Sequence, residues 1–336
     1  RLVRMGDTAQ VPPVGECESP ALNDDELLCY GLEVESSTLR QVVRQAEESG
    51  ILWNATRLRE LMDTEQIFSL PQLRFKGFAD VKRVMGNELI EVIEECYHRD
   101  GEDETIVVTR SNKRAIAYNN GIRAKILWRE EAVEGGDILM VAKNNYYWTE
   151  TLNGQLMTEA LKEGKSPEEA ESTPFDFIAN GDTAIVRHLR NERCFYGFTF
   201  ADAELEFPDY DNYSMHITVL LDTLQAEAPS LTKEQQEQLY NGIMEDYAGD
   251  PTLRSKQDKL KALRQDPYYN ALQIKYAYAI TCHKAQGGQW TNVFIDQGYM
   301  TEDMLGPDYF RWLYTALTRA RTRVYFVNWK DEQVLE

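Results

Sequence analysis

Between residues 274 and 327 the chain spells out strand, loop, strand, helix, strand. Ile274–Thr281 (IKYAYAIT) is an apolar, β-rich run with the length of a buried strand. A Gly-containing loop follows, then a second strand-like run at Val293–Asp296. Phe310–Ala320 reads as a helix and Arg323–Val327 (RVYFV) as a third strand. The other end repeats the alternation. Leu39–Met62 has apolar residues near helical spacing, Ile106–Thr109 is a short β-branched run, and Lys113–Ile126 reads as the helix after it. Strands alternating with helices imply an α/β layer with a mostly parallel sheet, built from both ends of the chain.

The middle differs. Asp137–Ala142, Asp176–Leu189, Cys194–Phe207 and Met215–Leu221 are short strand-like runs punctuated by Gly and Asn. They predict a small β-rich domain inserted into the α/β domain. Leu231–Tyr247 and Pro251–Arg264 then read as polar, solvent-facing helices. A length of 336 residues accommodates two domains or three small ones. With 43% hydrophobic and 27% charged residues, wholesale disorder is excluded. No apolar stretch approaches the roughly 18 residues a membrane helix needs.

Charge narrows the function classes. Lys plus Arg is 36 and Asp plus Glu is 56, so 36 − 56 = −20. That argues against a histone-like, purely electrostatic binder of nucleic acid, though not against a local basic site. The acid is uneven: Thr105–Arg129, Tyr268–Ile295 and Tyr309–Lys330 contain none. Either these three segments converge on a polyanion, or each contains a buried strand that excludes acid anyway. The five cysteines (Cys17, Cys29, Cys96, Cys194 and Cys282) are odd in number and form no CxxC pair. That argues against a disulfide framework or a zinc site and for a reducing cytoplasm. No signal peptide is read, and a start at Arg1 rather than Met leads us to expect a fragment or processed product.

Five short segments carry candidate chemistry. Near the N-terminus, Gly6-Asp7 is followed by Gln10 and by Pro12-Pro13. Glycine allows a tight strand exit, and a glutamine there can bond a phosphate or a water without adding charge. In Leu39–Gln45, Arg40 and Arg44 stand at i and i+4 and share a helix face. Val107–Lys113 places Thr109, Arg110, Ser111, Asn112 and Lys113 where a strand end meets a helix N-terminus, a natural phosphate-binding arrangement. Ala279–Gln289 packs Thr281, His283, Lys284 and Gln286 into a loop whose Gly287-Gly288 pair lets backbone N–H groups approach an anion. In Leu313–Ala320, Arg319 ends an apolar helix; it either caps C-terminal carbonyls or reaches a nucleotide phosphate.

In order and spacing these segments resemble the second half of the motif set of superfamily-1 helicases. GDTAQVPPV is similar to motif III, LRQVVRQ to motif IV, VVTRSN to motif IVa, AITCHKAQG to motif V and LYTALTRA to motif VI. The paired prolines and the form of motif V resemble the 1B branch, nearest the RecD-like and phage Dda-like helicases. The resemblance covers the two ends of the chain, about half its residues.

That family sandwiches ATP between two RecA-like domains and moves 5′→3′ on single-stranded DNA. The resemblance therefore implies a RecA-like parallel-sheet domain over 39–127 and 267–336. Residues 1–38 would end the first RecA-like domain, and 128–266 would be an inserted β-rich, SH3-like domain with polar helices. Gln10, Arg44 and Arg319 would be catalytic, the two arginines stabilising charge on the transferring phosphoryl group. Gly6, Asp7, Gly287 and Gln289 would join them at the cofactor. Thr109, Arg110, Asn112, Thr281, His283 and Lys284 would line the single-strand groove. The family often carries Glu two residues after the motif V glycine; here Gln289 stands after an extra Gly288, which weakens that assignment. Tyr146-Tyr147-Trp148 either stacks on bases or belongs to the core.

ATP and Mg²⁺ in this family also need a P-loop and an upstream acidic pair. The one G-K-S, Gly164-Lys165-Ser166, has Glu159 at the position of the first glycine and Pro167 after it, and is a decoy. The expectation is the C-terminal motor portion of an ATP-dependent 5′→3′ DNA helicase, exodeoxyribonuclease V α-like. By itself the chain is expected not to hydrolyse ATP. Its partners would be single-stranded DNA, a missing N-terminal RecA-like domain and a nuclease or repair subunit, with no membrane. The competing expectation is a non-catalytic nucleic-acid-binding or scaffold protein that kept a degenerate helicase fold.

Overall fold

A computed structural model describes residues 3–39 and 48–335. The chain forms two compact units, one over Arg1–Ile126 and Tyr278–Glu336, the other over Leu127–Ala277.

The first unit is α/β. Its five-stranded sheet has the order Val81–Val84, Ala320–Val327, Trp290–Asp296, Thr105–Thr109, Ala279–Thr281. Every neighbouring pair is parallel. The central strands are apolar on both faces because helices cover both; Val108, Val293, Phe294, Ile295, Val324 and Phe326 are fully buried. Helices Gly50–Asp63, Leu89–Asp100, Asn112–Lys125 and Pro307–Leu317 complete the unit. Pro at its first turn starts Pro307–Leu317, which is buried from Tyr309 to Leu317 except at Arg311. Ser49 caps Gly50–Asp63, and the Asp80 carboxylate accepts from the Gly50 and Ile51 amides at 3.0 and 3.2 Å. An anion there offsets the partial positive charge of the helix start. The helix expected over Leu39–Met62 is observed from Gly50; Arg40 and Arg44 lie outside the described residues.

The second unit is a closed five-stranded barrel. Its strands are Ile138–Val141, Thr183–Phe195, Phe198–Phe207, Tyr213–Leu220 and Leu272–Tyr276. The long hairpin turns at Tyr196-Gly197, both with positive φ (57° and 80°), as a tight two-residue turn requires. From Ala201 to Phe207 the third strand alternates buried and partly exposed positions, the period of a strand with one face inside. Helices Lys233–Ala248 and Lys256–Arg264 are not simply solvent-facing. Leu239, Ile243 and Leu263 pack with Phe198, Phe200 and Leu220 into one buried cluster. A 16-residue helix, Tyr147–Lys162, begins inside the aromatic run.

The run read as one strand, Ile274–Thr281, is two. Leu272–Tyr276 closes the barrel and Ala279–Thr281 joins the parallel sheet. Both halves are buried, so hydropathy alone cannot mark where the chain changes sheets. The barrel unit accordingly runs on to Ala277, past Asp266.

Candidate functional site

Parallel pairing sorts the candidate residues by sheet edge. Asp296, Thr109 and Thr281 are in register at the carboxyl ends of three adjacent strands. Arg110 and Asn112 follow Thr109, and the short helix Cys282–Ala285 with His283 and Lys284 follows Thr281. Gly287 and Gln289 precede the strand starting at Trp290, and Arg319 precedes the one starting at Ala320, so these three sit toward the amino edge. The Trp290 amide donates to the Arg319 carbonyl at 3.1 Å.

At the carboxyl edge, Thr109 is fully buried. Its hydroxyl is shared between the Ser111 carbonyl at 3.1 Å and the Ile280 carbonyl at 3.4 Å. It fixes the strand-to-helix turn rather than facing outward. Ser111 caps Asn112–Lys125 by accepting from the Arg114 amide at 3.3 Å. The exposed Arg110 lies over the Tyr309 and Trp312 rings, 5.8 Å from each, and its partial burial holds its pKa below the usual arginine value. Lys284 is half-buried, and burial lowers its ammonium pKa; His283 is exposed. The buried Asp296 carboxylate accepts from Arg114 Nε at 2.7 Å, the Tyr118 hydroxyl at 2.6 Å and the Gly298 amide at 2.8 Å. Burial and the adjacent Asp296 charge keep the Tyr118 hydroxyl protonated well above its usual range.

Toward the amino edge, three motif-bearing segments meet. The Val11 amide donates to Thr315 Oγ1 at 2.9 Å, and Gln286 Nε2 donates to the Val11 carbonyl at 2.8 Å. Asp7 accepts from the Ala9 amide at 3.1 Å, Arg59 Nη2 at 2.5 Å and the Tyr314 hydroxyl at 3.1 Å. Burial, aided by the Asp7 charge, pushes the Tyr314 hydroxyl up to about 12. Gly6 runs so close to Leu22 that an added Cβ would lie 2.5 Å from its side chain. Gln10 is half-buried, and its backbone N–H donates to the Asp7 carbonyl at 3.1 Å.

Arg319 is only 4% exposed. Its Nε donates to the Thr315 carbonyl at 3.0 Å, Nη1 to the Gly288 carbonyl at 3.3 Å and Nη2 to Thr318 Oγ1 at 3.1 Å. It thus caps the helix end and ties it to the glycine loop. Gly287 has φ +84°, and a Cβ on Gly288 would lie 2.3 Å from the Trp290 ring. The second glycine makes room for that tryptophan. Beside them the buried Cys282 thiol is pushed up to about 12 by burial, against the lowering influence of Arg319.

The structure therefore joins segment 7–11 to Gln286 and Thr315, and Thr315 to Arg319 and Gly288. The DNA-side candidates lie along the carboxyl ends and the loop that leaves them. Tyr314 and Thr315 were inside the quoted motif but not singled out, and Arg59, Arg114 and Asp296 carried no signal in the sequence. The G-K-S decoy is an exposed turn in which Ser166 and Glu169 form a capping box and Lys165 pairs with Glu163 at 2.7 Å. Among the described residues, no group of three or more His, Cys, Asp or Glu side chains is arranged to hold a metal ion.

Residues 276–327 match the protein-family model of the UvrD-like helicase C-terminal domain. That window contains the short helix with His283 and Lys284, and helix Pro307–Leu317 with Arg319 just after it. Over 97% of its length the chain is 23% identical to uncharacterized protein R530 of Acanthamoeba polyphaga mimivirus, covering 69% of that protein. Solved structures with similarity include Pif1 helicases. The assembly of two coordinating Pif1 helicases at forked double-stranded DNA has 12% identity and a TM-score of 0.39, over 88% of this chain and 51% of that one. Bacteroides Pif1 with ADP-AlF3 and single-stranded DNA has 13% identity and a TM-score of 0.38, over 88% and 53%. Candida albicans Pif1 has 13% identity and a TM-score of 0.32, over 88% and 57%. The chain spans about half the length of these solved helicases. The motif order and the family match agree on a helicase-like C-terminal portion.

Proposed function

We propose that this chain is the C-terminal motor portion of an ATP-dependent 5′→3′ DNA helicase or translocase, exodeoxyribonuclease V α-like. The observation that carries this reading is the join of three separately recognised segments. Gln286 and Thr315 hold the backbone at Val11, and Thr315 in turn receives Arg319. A device that converts phosphate hydrolysis into movement needs such a mechanical link between its phosphate-sensing and strand-contacting segments.

In this reading, ATP with Mg²⁺ supplies the free energy, held by a P-loop and acidic pair from a separate RecA-like domain. Gln10, beside the Asp7 turn, reports on the γ-phosphate. Arg319 and Arg44 stabilise charge on the phosphoryl group, with Gly6, Asp7, Gly287 and Gln289 around the nucleotide. Arg110, Asn112, Thr281, His283 and Lys284 contact single-stranded DNA, and Thr109 holds the turn that presents Arg110. The barrel unit corresponds to an SH3-like insertion. A nuclease or repair subunit would supply any cleavage, in the cytoplasm.

The burial of Arg319 favours a second reading, a non-catalytic nucleic-acid-binding scaffold in which that arginine only caps its helix. One comparison separates the two. In a protein that also carries the P-loop domain, Arg319→Ala should lower DNA-stimulated kcat by about 10³-fold or more while single-strand affinity stays unchanged. The chain by itself should show no steady-state turnover. Salt-sensitive DNA binding, with no turnover even when the P-loop domain is present, would establish the scaffold reading instead.

A further inference from the structure

One concave pocket lies wholly within the barrel unit, outside the five motif segments, and takes in Tyr146 and Tyr147 of the aromatic run. Its volume is about 220 Å³, below the roughly 300–1,000 Å³ of pockets that take drug-sized ligands. Leu231, Leu239 and Ala271 form an apolar, buried floor. Three tyrosines, Tyr146, Tyr147 and Tyr269, stand around it. Tyr146 stacks on Phe177 at 4.7 Å and 29°, yet is 52% exposed, so one ring face is braced while the side chain stays open to solvent. Tyr269 is 41% exposed.

The polar lining is almost entirely carboxamide. Asn144 Oδ1 accepts from the Asn180 amide at 2.7 Å, and Gln273 Oε1 accepts from the Leu231 amide at 2.8 Å. Gln236 Nε2 donates to the Leu231 carbonyl at 2.9 Å, and Asn270 Nδ2 donates to the Asp266 carbonyl at 2.8 Å. Each of these four amides is pinned at one end, whereas Asn145 is bonded at both, donating to the Asn270 carbonyl at 2.8 Å and accepting from the Trp148 amide at 3.3 Å. Among the described residues, the other ends make no hydrogen bond: two NH₂ groups, on Asn144 and Gln273, and two carbonyl oxygens, on Gln236 and Asn270. Lys143 contributes the one cation. The barrel unit has 27 Asp and Glu against 14 Lys and Arg over Leu127–Ala277, but no carboxylate lines this pocket.

We infer that this pocket binds a single nucleobase with its phosphate, presented by single-stranded nucleic acid. Exposed tyrosine rings offer stacking faces that any base can use. Fixed amides offer donors and acceptors in the mixture that base edges present. A lysine at the rim takes the phosphate, and the lack of carboxylates removes the repulsion that the rest of the unit would exert. The inference does not rest on the motor reading, because every residue it uses lies in the barrel unit.

The test uses the full chain and two fluorescent probes: 2-aminopurine deoxyribonucleoside 5′-monophosphate, and a short oligothymidylate carrying one 2-aminopurine. Stacking on tyrosine quenches both. Tyr146→Ala and Tyr269→Ala should each weaken binding about fivefold or more, whereas Tyr146→Phe keeps the quenching. Lys143→Ala should reduce the salt dependence of oligonucleotide binding by about one ion. Quenching of both probes assigns the pocket to a strand. Quenching of the monophosphate alone assigns it to a free nucleotide, and either outcome supports the base site. Absence of quenching, or quenching that persists in both alanine variants, overturns it. So does protection of these tyrosines by a proline-rich peptide when neither probe is quenched. ATP turnover plays no part in the readout, so failure of the motor reading leaves this result interpretable.

Discussion

Arg319 commits three nitrogens inside the chain, and burial rather than its charge governs the thiol beside it. The Cys282 thiol beside it, pushed up to about 12 by burial, stays a thiol at neutral pH. Iodoacetamide at pH 8 should therefore modify the exposed Cys17, Cys29 and Cys194, while Cys96 and Cys282 label only after unfolding. Peptide mass spectrometry reads this directly, and rapid labelling of Cys282 in the folded chain would contradict its burial. Asp100 gives a pH signature. Burial pushes its carboxyl up, but the hydrogen bond from Asn292 and the guanidinium of Arg99 outweigh it, so the net direction is down. A lowered carboxylate stabilises the fold above its unfolded pKa, 3.8, and that contribution is lost as pH falls through the folded value. Asp100→Asn should thus lower the melting temperature at pH 7, with the gap closing below about pH 4. A gap of constant size across that range would exclude the ion network as its cause. At this scale the sequence exposes a residue such as Arg319, which stands out as a charge in an apolar helix. It hides Thr315, whose partner Val11 lies 304 positions away, because a threonine in a helix carries no mark of what it will meet.

Elements were legible where periodicity was unmixed. The strands Thr105–Thr109, Trp290–Asp296 and Ala320–Val327 carry the unbroken apolar stretches Ile106–Val108, Val293–Ile295 and Val324–Val327, and the parallel sheet follows from them. Legibility failed in two places for physical reasons. Ile274–Thr281 is apolar apart from Lys275 and its closing threonine because it is buried twice, in the barrel and then in the sheet. Tyr147–Lys162 opens with aromatic residues that suit a strand as well as a helix, and its polar remainder has few buried positions, Thr149 and Ala160. The helices between the last two barrel strands, Lys233–Ala248 and Lys256–Arg264, were read as polar since their apolar stripe is narrow. That stripe nonetheless bears weight: Ile243 is fully buried against the barrel cluster. Ile243→Ala should cost about 2–5 kcal/mol in urea unfolding, through lost burial and the cavity left behind. A cost below about 1 kcal/mol would mean the helix is not part of that core.

At the scale of the whole chain, the backbone passes between two units with separate cores at Ile126–Leu127 and at Ala277–Tyr278. Each has enough residues to fold cooperatively, and each buries its own apolar cluster. The mutation that weakens one core should therefore leave the other's unfolding in place. Leu313 is fully buried in the α/β unit and Ile243 in the barrel unit. In scanning calorimetry the chain should resolve into two transitions. Ile243→Ala should lower one of them by several degrees, and Leu313→Ala the other, as expected for a loss of a few kcal/mol in domains of this size. Should both substitutions shift a single common transition equally, the chain would unfold as one cooperative block. An insertion able to bind or release a nucleobase independently of the sheet would then have no thermodynamic basis.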